Sequence, residues 1–304
     1  MNAAIVRQLP LPGLPSASGI EAIGEVAYVI GDDSPLLYCL NAATFQPGQP
    51  VTLFETAHFS SGRIPKDLKP DLECLTAVTT ADGEYGLLAL GSGATPARET
   101  GFWVNLARAQ PGAAGVFPLS LSALYQSMRR QLPAGLVLNL EAAATTADEL
   151  FLLQRSVGTD LGNLLYRCPL EPALALLRHR SNQVPAFQVQ RYQLPAINGK
   201  PAGFSGASGF QNKLFVTASV EDTVDAVADG AVLGSFVGWL DPQDRRDLTT
   251  AHLTRLELPG GQPYLGKVES VTVRRQLGPG RYELLLVTDD DAGGSTALVV
   301  ELSL

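Results

Sequence analysis

Acidic residues recur at the start of apolar, strand-like segments of this chain. Glu73, Glu141 and Glu269 each occupy the third position of a short motif, in DLECLTAV, NLEAAATT and KVESVTV. Glu21 stands at that position in GIEAIGEV, and Ser205 replaces the glutamate in GFSGASGF. Carboxylates that lie close together raise one another's pKa unless a cation, a basic side chain or a proton neutralises them. If the fold gathers these residues, they form either a cation site or a structural network of salt bridges and hydrogen bonds.

The spacing of the motif predicts the fold. Its third positions are 52 to 68 residues apart, which fits one four-stranded propeller blade with its loops. Each copy continues with a second apolar strand and, after a polar loop, a third strand, and the first four copies end with a weaker fourth strand. We therefore predict an all-β chain that forms a single closed β-propeller domain over residues 1–304. Five blades are expected, six being less favoured, and they begin near residues 19, 71, 139, 203 and 267.

Two further segments complete the predicted architecture. The fifth copy has only three strands, while an orphan strand over residues 3–11 precedes the first copy. This N-terminal strand is expected to join the last blade as its outer edge, which closes the ring and leaves no broken blade. The segment LSLSALYQSMRRQLP has apolar residues at helical spacing and predicts one short inserted helix near 120–132.

The polar residues of the motif are expected to surround one mouth of the central channel, because the first strand of each propeller blade lines that channel. The loops between the second and third strands reach the same face. The loop residues expected there are Asp32, Asp33, Ser92, Arg98, Arg155, Asp160, Glu221, Asp222, Asp289, Asp290 and Asp291. The motif itself adds Asn139 and Lys267 beside the glutamates and Ser205.

Each candidate residue receives a provisional role from its chemistry. Oxygen ligands suit a hard cation such as Ca²⁺, so the predicted metal ligands are Glu21, Glu73, Glu141, Glu269 and Asp289. Arg155 follows a strongly apolar strand and could hold a carboxylate or phosphate of a ligand, or else neutralise Glu141. Glu141 and Arg155 are therefore the candidate catalytic pair. The candidate ligand-binding residues are Ser92, Arg98, Asn139, Ser205 and Lys267.

Composition limits the partners. The formal net charge of −8 and the isoelectric point near 4.9 disfavour a nucleic acid, whose phosphates such a surface repels. No apolar run is long enough to span a bilayer and no secretion signal is visible, so a cytoplasmic location without membrane contact is expected. Cys39, Cys74 and Cys168 lie in apolar runs without metal-site spacing, which predicts buried thiols.

The opening x-[LI]-E pattern, with LLALGSG, LLQRS and LLVTDDD closing the second strands, resembles uncharacterised bacterial propellers related to the phytase-like (esterase-like) propeller family. More distantly, the chain is similar to calcium-dependent lactonase and strictosidine-synthase-like propellers. The resemblance implies a calcium ion at the channel mouth, held by carboxylates and Asn side chains from several blades. The matching positions are Glu21, Glu73, Glu141 and Glu269.

The leading hypothesis is a propeller with an acidic site at the channel mouth that acts as a calcium-assisted hydrolase of a small ester, lactone or phosphoester. The cation would polarise the scissile group, and a carboxylate of the ring would act as the base. The alternative is a non-enzymatic propeller that binds a ligand or a protein and uses its channel carboxylates structurally. A small-molecule ligand or substrate is the expected partner.

Overall fold

The apolar segments form strands that pair with their neighbours along the chain. The computed structural model describes residues 1–107, 115–159, 161–223, 230–290 and 292–304. Within those ranges the chain is all-β apart from two α-helices and one turn of 3-10 helix. The strands form five antiparallel meanders, numbered here in chain order, and the last two are joined through β1 in one eight-stranded sheet.

The first two meanders have four strands each. The chain begins with β1 (Asn2–Pro10), and the first meander contains β2 (Ala17–Ile23), β3 (Val26–Gly31), β4 (Leu36–Asn41) and β5 (Val51–Thr52). The second contains β6 (Leu72–Thr79), β7 (Tyr85–Gly91), β8 (Thr100–Asn105) and β9 (Val116–Ser120), with the 3-10 turn Pro96–Arg98 between β7 and β8.

The third meander follows α1 (Ser122–Arg129), which is the helix predicted near 120–132. It consists of β10 (Leu140–Thr145), β11 (Glu149–Gln154), β12 (Leu164–Pro169) and β13 (Gln188–Gln193), with α2 (Leu170–Leu177) between the last two strands. Helix α2 was not predicted, although its buried residues Leu170, Ala173, Leu174 and Leu177 have helical spacing. A small hairpin of β14 (Ala196–Ile197) and β15 (Lys200–Pro201) comes next and was also not predicted.

The last two meanders share additional pairing. The fourth contains β16 (Gly203–Phe210), β17 (Lys213–Glu221), β18 (Val232–Leu240) and β20 (His252–Glu257), while β19 (Leu248–Thr250) pairs in parallel with β13. The fifth contains β21 (Lys267–Gly278), β22 (Arg281–Asp289) and β23 (Ser295–Ser303). Strand β1 lies antiparallel to β23, as expected of the N-terminal strand, and it also pairs in parallel with β20.

The core consists of apolar clusters, each packed between two neighbouring meanders. Adjacent residues of the second strands face opposite clusters: Leu87 packs toward the first meander and Leu88 toward the third. In β22, Leu284 likewise packs toward the fourth meander and Leu285 toward the first. A strand buried on both faces needs a continuous apolar run, which explains the sequence of these second strands. Cys74 belongs to one of these clusters as a buried free thiol.

The first strands contact one another in a cycle. Strand β2 contacts β6, β6 contacts β10, β10 contacts β16, β16 contacts β21, and β21 contacts β2. Side chains also link them: the Ser18 hydroxyl donates to the Leu72 carbonyl at 2.5 Å, and the Ala22 N–H donates to Thr272 Oγ1 at 3.1 Å. These strands therefore surround a common axis. No helix in the described ranges is long and apolar enough to cross a membrane.

Each first strand has a β-bulge near its start. In β6, Leu72 pairs with Gly91 and Cys74 with Leu90, so Glu73 is the extra residue. The equivalent extra residues of β2, β10, β16 and β21 are Ser18, Glu141, Ser205 and Glu269. These five residues are called the bulge ring below. The sequence alignment that matched Glu21 with Glu73 is wrong by three residues, because pairing with β3 makes Ser18 the bulged residue.

Candidate functional site

One side of the channel mouth contains an acidic cluster of Asp32, Asp71 and Glu73. Asp32 follows β3, Asp71 precedes β6 with a φ of +55°, and Glu73 belongs to the bulge ring. One carboxylate oxygen from each lies within 4.8 Å of the other two. A bulge turns its extra residue out of the regular strand alternation, which directs Glu73 toward these aspartates.

Three side chains bind Asp71, and one of them also binds Asp32. Lys69 Nζ lies 2.9 Å from Asp71 Oδ1 and also forms an ion pair with Asp32 Oδ2. Arg98 Nη1 and the Ser92 hydroxyl donate to Asp71 Oδ2 at 2.7 and 2.6 Å. Arg98 and Ser92, which were predicted to bind a ligand, thus donate their hydrogen bonds to the carboxylate of Asp71.

The remaining oxygens of the cluster are less well satisfied. Among the described residues, Asp32 Oδ1 is buried without a hydrogen-bond partner. Glu73 is partly buried, and the charge of Lys69 acts on its carboxylate. Burial raises the pKa of Glu73 well above its usual value, and the charges of Glu141, Asp71 and Asp32 raise it further. Burial also raises the pKa of Asp32 to about 6, although the nearby Lys69 opposes the shift. This half of the mouth has more negative charge than its own cations neutralise.

The other side of the mouth contains an arginine network of Arg155, Glu141, Glu221, Lys267 and Glu269. Arg155 bridges Glu221 and Glu141, with its Nη1 3.4 Å from Glu141 Oε1. Lys267 Nζ lies 2.9 Å from Glu269 Oε1 and 3.7 Å from Glu221 Oε1. All three glutamates are buried, and each has a cation within ion-pair distance.

The pKa values within the arginine network follow the placement of its cations. Burial raises the pKa of Glu141 to about 7, even though Arg155 and Lys267 oppose this. Burial also acts on Glu221, but Arg155 and Lys267 outweigh it and lower the pKa of that group. The Asn139 amide donates to Glu141 Oε1 at 2.6 Å, so the predicted ligand-binding Asn139 also contacts a protein carboxylate.

Glu21 lies one layer deeper in the channel, apart from both groups. Its carboxylate accepts hydrogen bonds from Thr272 Oγ1 at 3.0 Å, Ser208 Oγ at 3.3 Å and the Ala77 N–H at 3.4 Å. Burial raises its pKa to about 7. Its hydrogen-bond partners come from three different first strands, so Glu21 joins meanders below the mouth.

The other predicted residues are dispersed. Ser205 bonds to Thr217 Oγ1 at 3.2 Å, and Asp289 pairs across the strands with Lys267. In the DDDAGG segment, Asp290 Oδ1 accepts the N–H groups of Ala292 and Gly294 and forms a local turn. Asp160 and Asp291 lie outside the described residues. Sequence reasoning missed Lys69, whose only signal was its place two residues before Asp71.

Comparisons with known proteins give a family and a fold. The model of a family of unknown function, DUF6929, matches residues 13–302. No curated protein matches the chain. A glutaminyl cyclase from Myxococcus xanthus is similar in structure, with a TM-score of 0.50 and 11% identity over 99% of this chain and 97% of that one.

Two other solved structures are similar to this chain with lower TM-scores and equally low sequence identity. The β-propeller domain of Cps50 (Swd1) from Myceliophteria thermophila has a TM-score of 0.37 and 7% identity, over 93% of this chain and 67% of that one. A tail fibre of Staphylococcus aureus phage P68 has a TM-score of 0.48 and 11% identity, over 100% and 53%. The similarity to the glutaminyl cyclase, at 11% identity, bears on the fold alone. The match over nearly the whole length shows that this chain belongs to the family of unknown function DUF6929.

Proposed function

We propose that the five meanders are the blades of one closed propeller domain, with β1 completing the last blade. The cyclic contacts of the first strands and the apolar cluster between the fifth and first meanders support this arrangement. A closed ring also fits the predicted relationship to phytase-like and lactonase-type propellers. Closure matters for function because it brings residues from every meander to one channel mouth.

We infer that the acidic cluster binds a divalent cation, with calcium as the expected ion. The observation that carries this proposal is the approach of three carboxylates, from three separate positions, to within 4.8 Å of one another. Asp32 Oδ1 lacks a hydrogen-bond partner among the described residues and Glu73 is partly exposed, so both are available as ligands. An all-oxygen donor set without histidine or thiolate suits Ca²⁺ better than zinc or copper.

Lys69 alone does not neutralise the three carboxylates of the acidic cluster. Its ammonium group contacts Asp32 Oδ2 and Asp71 Oδ1, and leaves Asp32 Oδ1 without a hydrogen-bond partner among the described residues. Charges removed from water are normally paired, bound to a metal or neutralised by a proton. The unsatisfied Asp32 oxygen and the raised pKa of Glu73 therefore support an additional cation.

The reaction that suits this site best is hydrolysis of a small ester, lactone or phosphoester. A bound calcium ion would polarise the carbonyl or phosphoryl oxygen of such a substrate. Glu141, with its pKa near 7, is suited to accept a proton from water at neutral pH. Arg155 holds Glu141 in position from the side of the third meander.

The alternative function is non-enzymatic binding of a ligand or protein, with structural carboxylates. The arginine network favours it, because each of its three glutamates already has a cation within ion-pair distance. The similarity to a glutaminyl cyclase is one of fold and assigns no reaction to this chain. The acidic cluster therefore distinguishes the two functions: it binds a catalytic cation in the first and is structural in the second.

Calcium binding tests the proposal directly. Calcium added to the metal-stripped protein should give a saturable heat of binding and raise the melting temperature, because a ligand at 100 times its Kd stabilises by about 2.7 kcal/mol. Glu73→Gln should abolish both effects, while the matched control Glu269→Gln, at the equivalent ring position, should retain them. Release of product from p-nitrophenyl esters, lactones and phosphoesters should then depend on calcium and stop with EGTA. A wild-type protein that binds no calcium would contradict the cation site and support the structural alternative.

A further inference from the structure

A pocket of about 220 Å³ opens beside Arg155, between the third and fourth meanders. Its wall includes Arg155, Ser156, Lys200, Gly203, Glu221 and Thr223. Small-molecule sites usually have volumes of roughly 300–1,000 Å³, so this pocket accommodates a small polar group. The acidic cluster contributes none of its walls.

Gly203 lines this pocket and allows Arg155 to pack closely beside it. It stands two residues before Ser205 of the bulge ring, where other first strands have Asp71, Asn139 and Lys267. A Cβ atom at position 203 would lie 2.8 Å from Arg155 Cγ and 2.7 Å from the Ser156 carbonyl oxygen. Glycine at this position therefore lets the Arg155 side chain and the Ser156 carbonyl approach the strand closely, where a larger residue would displace them.

The unpredicted hairpin contributes Lys200. Asn198 and Gly199 have φ values of +53° and +77°, the conformation of a two-residue type I′ turn between β14 and β15. Lys200 Nζ lies 2.5 Å from Asp222 Oδ1, but the side chains are 36% and 53% exposed. Water screens an exposed ion pair of this kind and leaves it weak, so an incoming anion can compete with Asp222 for the ammonium group of Lys200.

Arg155 is a wall residue of this pocket, and its guanidinium group retains one donor without a hydrogen-bond partner among the described residues. Its side chain is only 8% exposed, and its Nη atoms contact Glu141 and Glu221. Among the described residues, its Nε–H is buried without a hydrogen-bond partner. A buried donor left without an acceptor is destabilising. A pocket-lining arginine in this condition indicates an acceptor that the protein itself does not supply.

We propose that this pocket binds a small anionic group, a carboxylate or a phosphate, between Arg155 and Lys200. The two carboxylates nearest to the pocket do not exclude such a group. Glu221 is held by Arg155 and Lys267, and Asp222 is exposed to water that screens its charge. The pocket goes beyond the proposed cation site, because none of its residues belongs to the acidic cluster.

The test measures binding of malonate and of inorganic phosphate to the full chain by titration calorimetry, with malonamide as the neutral analogue. The wild-type protein should bind at least one anion and not malonamide. Malonate alone would identify the group as a carboxylate, and phosphate alone as a phosphate. Because the protein has a net charge of −8, non-specific attraction of anions is disfavoured.

Lys200→Gln should weaken anion binding about tenfold, the loss expected for one charge-assisted hydrogen bond. Lys200 is partly exposed, so this variant avoids the folding defect expected of a change at Arg155. The matched control is Lys213→Gln, which removes a lysine of β17 that packs on Trp239, 4.2 Å from the ring centroid. Equal affinities of the two variants, or no anion binding by the wild type, would overturn the proposal.

The experiments distinguish a wrong anion-pocket proposal from a wrong cation-site proposal. Glu73→Gln should remove calcium binding and leave anion binding unchanged, because Glu73 does not line the pocket. Lys200→Gln should have the reverse effect. A protein that binds anions but no calcium would retain this inference and reject the proposed cation.

Discussion

The acidic cluster and the arginine network use the same backbone feature in opposite ways. In both, the bulge of a first strand directs a glutamate toward the channel mouth, Glu73 on one side and Glu141 and Glu269 on the other. Glu141 and Glu269 have Arg155 and Lys267 within ion-pair distance. Glu73 lacks such a partner among the described residues and faces Asp32 and Asp71 instead.

The difference shows that the ring position alone does not decide what a glutamate does. The residue two positions earlier is Lys267 in the fifth meander and Asp71 in the second, so the same backbone places a cation beside one glutamate and an anion beside the other. A buried carboxylate with a cation stabilises the fold locally, whereas one surrounded by carboxylates raises its free energy until a ligand or proton arrives. Four predictions test this contrast.

The largest effect is expected from Arg155→Met. The change leaves Glu141 and Glu221 buried with weakened compensation, and breaking such a pair costs about 3–5 kcal/mol. Urea unfolding at pH 7.5 measures the loss of unfolding free energy. As a control, Arg281→Met removes an exposed ion pair with Glu301 and should cost about 0–1 kcal/mol. Equal losses in both variants would mean that the arginine network is not a stabilising element.

Glu21→Gln should show a pH-dependent gain in stability. The folded protein binds the Glu21 proton more tightly than the unfolded chain, since burial raises its pKa from 4.5 to about 7. Stability from this proton is fully present below pH 4.5 and is lost as the pH rises through 7. At pH 8 the variant should exceed the wild type by up to about 3 kcal/mol. The same measurement at pH 4 should give nearly equal free energies of unfolding, and a constant difference at both pH values would contradict the raised pKa.

Glu73→Gln and Glu269→Gln should shift stability in opposite directions when no divalent cation is present. Removing the Glu73 charge relieves repulsion with Asp32 and Asp71, so stability should rise by about 1 kcal/mol. Removing the Glu269 charge weakens the pair with Lys267, so stability should fall by about 1–2 kcal/mol. Thermal unfolding in EGTA at pH 8 compares the two variants. Shifts of the same sign would show that the two halves of the mouth are equivalent.

The smallest effect is expected from Ser18→Ala in the bulge ring. Its hydroxyl donates to the Leu72 carbonyl of the next first strand, and losing such a hydrogen bond costs about 1 kcal/mol. Ser205→Ala, which loses a longer bond to Thr217, should cost less. Chemical unfolding of both variants at pH 7.5 ranks them. A larger loss for Ser205→Ala would show that the hydrogen bond between β2 and β6 stabilises the protein less than the bond between Ser205 and Thr217 within the fourth meander.

Much of the secondary structure could be predicted because its signals are local. The apolar second strands are buried on both faces, so their runs stand out in the sequence, and α1 has helical spacing. The α2 helix was not predicted because LEPALALL directly follows the apolar strand β12. Its helical spacing of apolar residues therefore merged with the apolar run of that strand. The β14–β15 hairpin was missed because its strands have only two residues each.

The sequence by itself determined that a polar residue opens each repeat and that apolar strands follow it, because the motif and its period are properties of neighbouring residues. Only the tertiary structure decided that Ser18, rather than Glu21, shares the layer of Glu73, since a bulge is defined by pairing with another strand. It also decided which glutamates have cations, because Lys69 and Arg155 reach them from separate loops and strands. The strength of an ion pair depends on distance and burial in three dimensions, and neither is written in residue order.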